Sequence, residues 1–380
     1  MNTSVMSLHD KNVILVTGGN RGIGKAICKG LLTQHPADVH VILGSRNLEN
    51  GRQAAADISL LKITDSPRIT VIQLDVTSDS SVKAAAKLVS SMGCKLYGIV
   101  NNAAVSPCTS TSCKDLLDTN YFGARRVNKA FGPMLTKPGG RIVNVSSVGA
   151  PTYLSGCLFS FGVKGKRRDL HHKLANPSMI EGGIKELDAI ASREALVLCK
   201  PTLGTFLGAP VLRPKDHAYQ LSKAFLNAYT VLHSKLEPDL IINSCCTGFV
   251  DTHLVPKRLG FTGTTDEGAV MPMKLLMGDE FTSDRDGNFF IEGKPRKLEE
   301  IPDLQVYPKS FAVIFEKFRP LQEQRKQQQQ QSWQQQQQQQ IYLQKKRSDS
   351  CATAGYSIFL LLSLVTAICA AHSFFAALPR

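Results

Sequence analysis

At 380 residues, 43% of them hydrophobic, and with a formal net charge of +14, the chain is long enough for one large domain with appendages or for two smaller domains. Its basic residues are scattered in short clusters such as "KGKRR" (Lys164 to Arg168) and "KKR" (Lys345 to Arg347), and without a basic stripe interleaved with aromatics they give no case for nucleic-acid binding. Ten cysteines form no CxxC pair, and the adjacent His171 and His172 lack helical ligand spacing, so neither a disulfide framework nor a metal site is expected.

The N-terminal "MNTSVMSLHDKN" has no apolar core of signal-peptide length, so synthesis in the cytosol with reduced thiols is expected. From Val13 to about Phe290, short apolar runs alternate with helical stretches. "NVILVTG", "DVHVILGSR", "ITVIQLDV", "LYGIVNNAA", "GRIVNVSS" and "DLIINSCCTG" are rich in Val and Ile and apolar on both faces, as buried parallel strands are. Helical patterns between them include Lys25 to Leu32, Ser81 to Met92 and Ala218 to Lys235. The alternation predicts a doubly wound, parallel α/β sheet with helices on both faces.

Two segments break that rhythm. Between the fifth and sixth strands, 151–216 is far longer than a connection needs, and it contains "SMIEGGIKELDAIAS", which reads as a helix. Beyond the main domain (8–300) and an extension (301–323), a glutamine-rich tract over 324–353 packs no core and reads as a linker. The segment 354–378 then carries no Asp, Glu, Lys or Arg. A bilayer core is spanned by about 20 predominantly apolar helical residues, so a single C-terminal transmembrane anchor is expected. Lys345, Lys346 and Arg347 before it favour a cytosolic main domain. The endoplasmic reticulum is the default membrane, and the mitochondrial outer membrane is the alternative.

The glycine cluster "TGGNRGIG" follows the first strand and opens the first helix. Gly18, Gly22 and Gly24 there permit a tight turn and let backbone N–H groups approach a pyrophosphate at the helix N-terminus, with Asn20, Arg21 and Ile23 in the same loop. A dinucleotide site selective for NAD places Asp or Glu about 20 residues further on, against the ribose 2′-hydroxyl. Here the second strand ends "VILGSRN" with no acid. Either Arg21 or Arg46 alone could be a solvated surface charge, but together they suit a 2′-phosphate, which favours NADP(H). Tyr219 and Lys223 stand four apart on a predicted helix and so share a face. A phenol with a pKa near 10 needs a nearby cation to act as an acid at neutral pH, and Lys223 is placed to be that cation. Ser147 ends the fifth strand at the carboxyl edge where such sheets bind ligands.

The ordered set "TGGNRGIG", "LDVTS", "NNAA", "TNYFG", "GGRIVNVSS", "YQLSK" and "CCTGFVDT" resembles the short-chain dehydrogenases/reductases, and within them the carbonyl reductases, over about Lys11 to Phe290. The resemblance implies a Rossmann-type fold and NADPH-dependent reduction of small lipophilic aldehydes, ketones or quinones. It implies Asn120, Ser147, Tyr219 and Lys223 as the catalytic set, with Asn120 supporting a water-linked proton path. It further implies cofactor contacts at Asp75 (adenine), Asn101 (backbone) and Thr252 (nicotinamide amide). The insertion resembles one that covers the oligomer face in carbonyl reductases, which implies a monomeric catalytic domain. Ala104 and Thr247 stand where the family has Gly and Pro. The glutamine tract, the unplaced stretch of the insertion and Thr247 leave a second reading open, a dinucleotide-binding, redox-sensing scaffold with little catalysis.

Overall fold

A computed structural model of the chain describes residues 8, 11–35, 38–60, 68–154, 168–198, 214–252, 263–281, 287–300, 334 and 338. By its internal contacts the chain divides into two units, Met1–Lys317 and Phe318–Arg380. In the second unit only Gln334 and Gln338 are described, both helical and exposed. The segment 354–378, read above as a membrane anchor, lies outside the described residues. So do most of the glutamine tract and the stretches 155–167 and 199–213 of the insertion. Among the described residues no helix is long and apolar enough to cross a membrane.

In the first unit β1 (Asn12–Thr17), α1 (Gly22–Gln34), β2 (Val39–Ser45), α2 (Leu48–Ser59), β3 (Ile69–Gln73), α3 (Asp79–Ser91) and β4 (Leu96–Asn101) follow in strict alternation. Next come α4 (Cys113–Leu117) and α5 (Ala124–Phe131), joined without a break by a π-helical stretch, Asp118–Gly123. After β5 (Arg141–Ser146) the helices α6 (Gly149–Leu154), α7 (Arg168–Ala175), α8 (Gly183–Leu198) and α9 (Pro214–Leu236) precede β6 (Ile241–Cys246). The chain then forms α10 (Thr265–Met277) and a small hairpin of β7 (Phe289–Ile291) and β8 (Lys294–Arg296). The strand order is β3-β2-β1-β4-β5-β6-β7-β8, parallel throughout except for the antiparallel last pair. This is the doubly wound, Rossmann-like architecture that the alternation predicts. The order reverses between β1 and β4, and such sheets bind ligands in the crevice outside the strand ends at that switch point.

The two-sided apolarity of the strands explains the two helical layers. In β1, Ile14 and Val16 join a core with Ile27, Leu31 and Leu276 from α1 and α10. The intervening Val13 and Leu15 join the opposite core with Val82, Val89 and Phe131 from α3 and α5. Side chains alternate across a strand, so both sets must be apolar and no solvent face remains.

The helix expected in the insertion is α8. It is fastened by Asp188, which accepts from Arg125 Nε at 3.0 Å and Nη2 at 2.6 Å and from the Tyr121 hydroxyl at 2.6 Å. Arg125 also lies over the Tyr229 ring, 4.9 Å from its centroid. These contacts hold α8 against the face made by the π-helical stretch, α5 and α9.

Candidate active site

A cleft of about 1120 Å³ runs along the carboxyl edge of the sheet. One end is built by the loop between β1 and α1. Gly18 sits at φ +63° and Gly22 at φ +54°, in the left-handed region that glycine enters without steric cost. A Cβ on Gly24 would come within 2.3 Å of Gly18 O and 2.4 Å of Asn102 Nδ2. Gly24 is therefore glycine because the loop folds back onto its own helix. Asn102 holds the loop in place: Nδ2 donates to Thr17 O at 2.9 Å and to Gly18 O at 3.2 Å, and its backbone N–H donates to Thr17 Oγ1 at 3.0 Å.

Helix α1 begins at Arg21 without a side-chain cap and without an acidic residue in its first turn. By contrast Asn47, Ser78 and Thr264 cap α2, α3 and α10. The first N–H groups of a helix have no intrahelical partner and carry partial positive charge, so this end of the cleft suits an anion. Arg21 and Arg46 are exposed on its rim. At the end of β2, Ser45 donates to Asn47 O at 2.6 Å, and no carboxylate stands there. Asp75 lines the cleft further along, where its Oδ1 accepts from Thr77 N at 2.9 Å and Oγ1 at 2.7 Å. The set matches a dinucleotide with a phosphate near its adenosine.

The other end lies where β5, α9 and β6 meet. Lys223 is buried, and its Nζ donates to Val145 O at 2.8 Å. Nζ lies 5.9 Å from the centre of the Tyr219 ring. Burial pulls the ammonium down to about 8, from an ordinary 10.5. The Tyr219 hydroxyl is hydrogen-bonded to Ser147; burial raises its pKa and that bond acts in the opposite direction. Ser147 Oγ also accepts from Gly149 N at 3.1 Å, which fixes its rotamer toward the tyrosine. Ser146 also reaches the cleft wall, but its hydroxyl points at Lys223 O, 3.5 Å away. An acid, a second hydroxyl and a buried cation thus converge on one point, an arrangement that can protonate an oxygen on a bound substrate.

Gly18, Asn20, Arg21, Gly22, Ile23, Gly24, Arg46, Asp75, Ser147, Tyr219, Lys223 and Thr252 all line this cleft. Two expected residues do not. Asn101 is turned into the core, where Nδ2 donates to Asn128 Oδ1 and Asn144 Oδ1, both at 2.8 Å. Successive strand residues face opposite ways, so the side chain on the cleft wall is that of its neighbour Asn102. Asn120 lies in the π-helical stretch, behind the wall reached by Thr119. Its Oδ1 accepts from Val105 N at 2.8 Å, while Nδ2 donates to Val105 O and Ser222 Oγ, each at 3.0 Å. None of these partners is Lys223. Cys246 was not singled out from the sequence, yet it lines the cleft beside Lys223, its Sγ accepting from Gly248 N at 3.4 Å. Its place at the end of β6, paired with Ser146 at the end of β5, is the signal that could have found it. Ala104 and Thr247, the departures noted above, also line the cleft.

The family model described as short chain dehydrogenase matches residues 12–161. The chain is 30% identical over 298 residues to Short-chain dehydrogenase/reductase 1 of Saponaria officinalis, covering 71% of this chain and 91% of that protein. It is 29% identical over 277 residues to Carbonyl reductase [NADPH] 3 of Rattus norvegicus, covering 70% of this chain and 90% of the relative. Among solved structures, salutaridine reductase from Papaver somniferum superposes with a TM-score of 0.60 at 25% identity, over 74% of this chain and all (100%) of that one.

Proposed function

The chain belongs to the short-chain dehydrogenase/reductase family of oxidoreductases, and on that premise we propose that it is an NADP(H)-dependent carbonyl reductase that takes small lipophilic aldehydes or ketones to alcohols. The observation that carries the reading is the joined Ser147, Tyr219 and Lys223 at one end of a cleft whose other end is an uncapped helix flanked by Arg21 and Arg46. The residues fit the cofactor: the glycine loop lies against open helix N–H groups, two guanidinium groups suit a 2′-phosphate, and no carboxylate at the end of β2 would repel it. A relative named for NADPH supports the same choice.

Bound in the cleft, NADPH supplies the hydride. The chain's residues do the rest. Ser147 and Tyr219 hydrogen-bond the substrate oxygen, which holds the carbonyl carbon in a reactive position. Tyr219 releases its proton to that oxygen as negative charge develops on it. Lys223, charged and close behind the ring, stabilises the phenolate left on Tyr219. Asn120 acts at one remove, by tying the π-helical stretch to Val105 and to Ser222, whose hydroxyl donates to Tyr219 O at 2.7 Å.

The absence of Asp, Glu, Lys and Arg from the predominantly apolar stretch 354–378 supports a single anchor that holds the reductase domain on the cytosolic side of a membrane. Asp188 and its ties to Arg125 and Tyr121 support a monomeric domain, because α8 covers the face made by the π-helical stretch, α5 and α9.

The test uses the full chain purified in detergent. NADPH oxidation is followed with a panel of aldehydes, ketones and quinones, and the active cases are repeated with NADH. Turnover with a clear NADPH preference is expected. Tight NADPH binding with no turnover on any carbonyl would replace this reading with the dinucleotide-binding scaffold.

A further inference from the structure

The insertion between Ser147 and Tyr219 is fastened to the domain at one carboxylate. Asp188 lies in α8, where its neighbours Leu187, Ile190 and Ala191 are buried. Its Oδ1 accepts from the Tyr121 hydroxyl at 2.6 Å and from Arg125 Nε at 3.0 Å, and its Oδ2 accepts from Arg125 Nη2 at 2.6 Å. Tyr121 belongs to the π-helical stretch, which ends at Gly123, and Arg125 belongs to α5, which begins at Ala124. The carboxylate therefore spans the junction where π-helical bonding gives way to α-helical bonding. Burial, and after it the charge of Asp188, raises the Tyr121 phenol well above its usual pKa, so it remains a donor.

A π turn takes in one residue more than an α turn, is rare, and occurs mostly at functional sites. Here side chains on both flanks of the stretch are held. On one flank Asn120 Oδ1 accepts from Val105 N at 2.8 Å and Nδ2 donates to Ser222 Oγ at 3.0 Å, while Ser222 Oγ donates to Tyr219 O at 2.7 Å. On the other, the Tyr121 ring lies 5.5 Å from that of Phe225 and 6.2 Å from that of Tyr229. Both of those residues are on α9, the helix that carries Tyr219 and Lys223. Shortening the stretch to α-helical bonding would rotate one end against the other by about 100°, one residue's turn. Asn120 and Arg125 could not then both keep their partners. A charge-assisted, two-pronged contact at the junction opposes that change.

We propose that Asp188 is a positioning residue for the reducing site: from the insertion it holds the π-helical stretch in register, and through Asn120 and Ser222 it keeps the turn of α9 that carries Tyr219 in place. The inference rests on the reductase reading and gives the insertion a part in turnover. Loosening this contact slows hydride transfer more than it weakens NADPH binding, because the glycine loop stands at the other end of the cleft.

The test uses the full chain purified in detergent and an aldehyde that the parent chain reduces. The single-turnover rate of NADPH oxidation is expressed per NADPH-binding site, counted by cofactor fluorescence. Asp188→Asn keeps the shape and one acceptor but removes the charge that grips Arg125. Its rate should fall about tenfold, while the NADPH dissociation constant stays within about twofold. Tyr121→Phe leaves the ring packed and removes one bond, and should slow the step about threefold. The double variant should lose less than the product of the two, since both act through one contact. A purely structural role would lower thermal stability and leave the rate per binding site unchanged. That outcome in a folded Asp188→Asn would overturn the proposal and leave the reductase reading intact, and so would a loss of NADPH affinity as large as the loss of rate. If Asp188→Asn does not fold, an unchanged rate per site in Tyr121→Phe overturns the proposal. Turnover of no carbonyl compound by the parent chain would overturn both readings.

Discussion

At one end of the cleft Arg21 and Arg46 stand exposed to water beside a helix terminus that no side chain caps; at the other, Lys223 is 2% exposed and its ammonium is pulled down to about 8. The first end offers charge without desolvation, so a bound anion is attracted while the protein's own charges remain hydrated and inexpensive to maintain. The second end excludes water, so each charge there is felt strongly by its neighbours and proton affinities shift. On the proposed reading, binding and chemistry fall in different dielectric surroundings within one cleft. Mutations at the two ends should therefore separate in what they alter.

The largest effect is expected from Tyr219→Phe, which removes the proton donor and leaves the ring packed. Turnover should fall about 10³-fold, while the dissociation constant for NADPH, measured by fluorescence, stays within about twofold. A parallel loss of cofactor affinity would break the separation. Gly24→Ala acts at the opposite end. Its Cβ would meet the Gly18 carbonyl at 2.3 Å, a contact with backbone that no rotamer relieves, and NADPH affinity should weaken about 30-fold through the strain.

On the proposed reading, Arg46→Ala removes one charge-assisted contact to the 2′-phosphate. The NADPH dissociation constant should rise about tenfold, that for NADH should hardly move, and added salt should shrink the difference. The mildest test is pH. Lys223 is charged below about pH 8 and loses its proton above it, so kcat/KM for carbonyl reduction should fall progressively, by about tenfold per unit, above pH 8. Because its pKa lies below the ordinary 10.5 in the folded chain, the folded state holds fewer protons than the unfolded one between about 8 and 10.5. This group's contribution to stability therefore rises with pH across that window. A pH–rate profile that is flat from 7 to about 9 would sever Lys223 from the chemistry assigned to it.

The sheet was legible because its cause is local. Runs such as Val13–Val16 are apolar on consecutive residues, and only a strand buried on both faces needs that pattern. The hairpin of β7 and β8 was not legible because three residues each carry no periodicity, and β7 joins the sheet through Ser244 and Cys245 of β6, far away in the chain. The glycine loop and the Tyr219–Lys223 pair were legible because turn geometry and helical spacing are written within a few residues. Which of Asn101 and Asn102 turns its side chain toward the cleft was not legible, since that depends on how β4 lies against β5 and α5.

By itself the sequence determined the alternation of strands and helices, the anion-binding loop and the spacing of an acid over a cation, all of which follow from contacts among neighbouring residues. Only the tertiary structure decided that Asn102 and not Asn101 walls the cleft, that Asn120 is tied to Val105 and Ser222, and that Cys246 sits beside Lys223. These depend on which surfaces meet across a fold, and burial, the property that gives them chemical consequence, is set by residues distant in the chain.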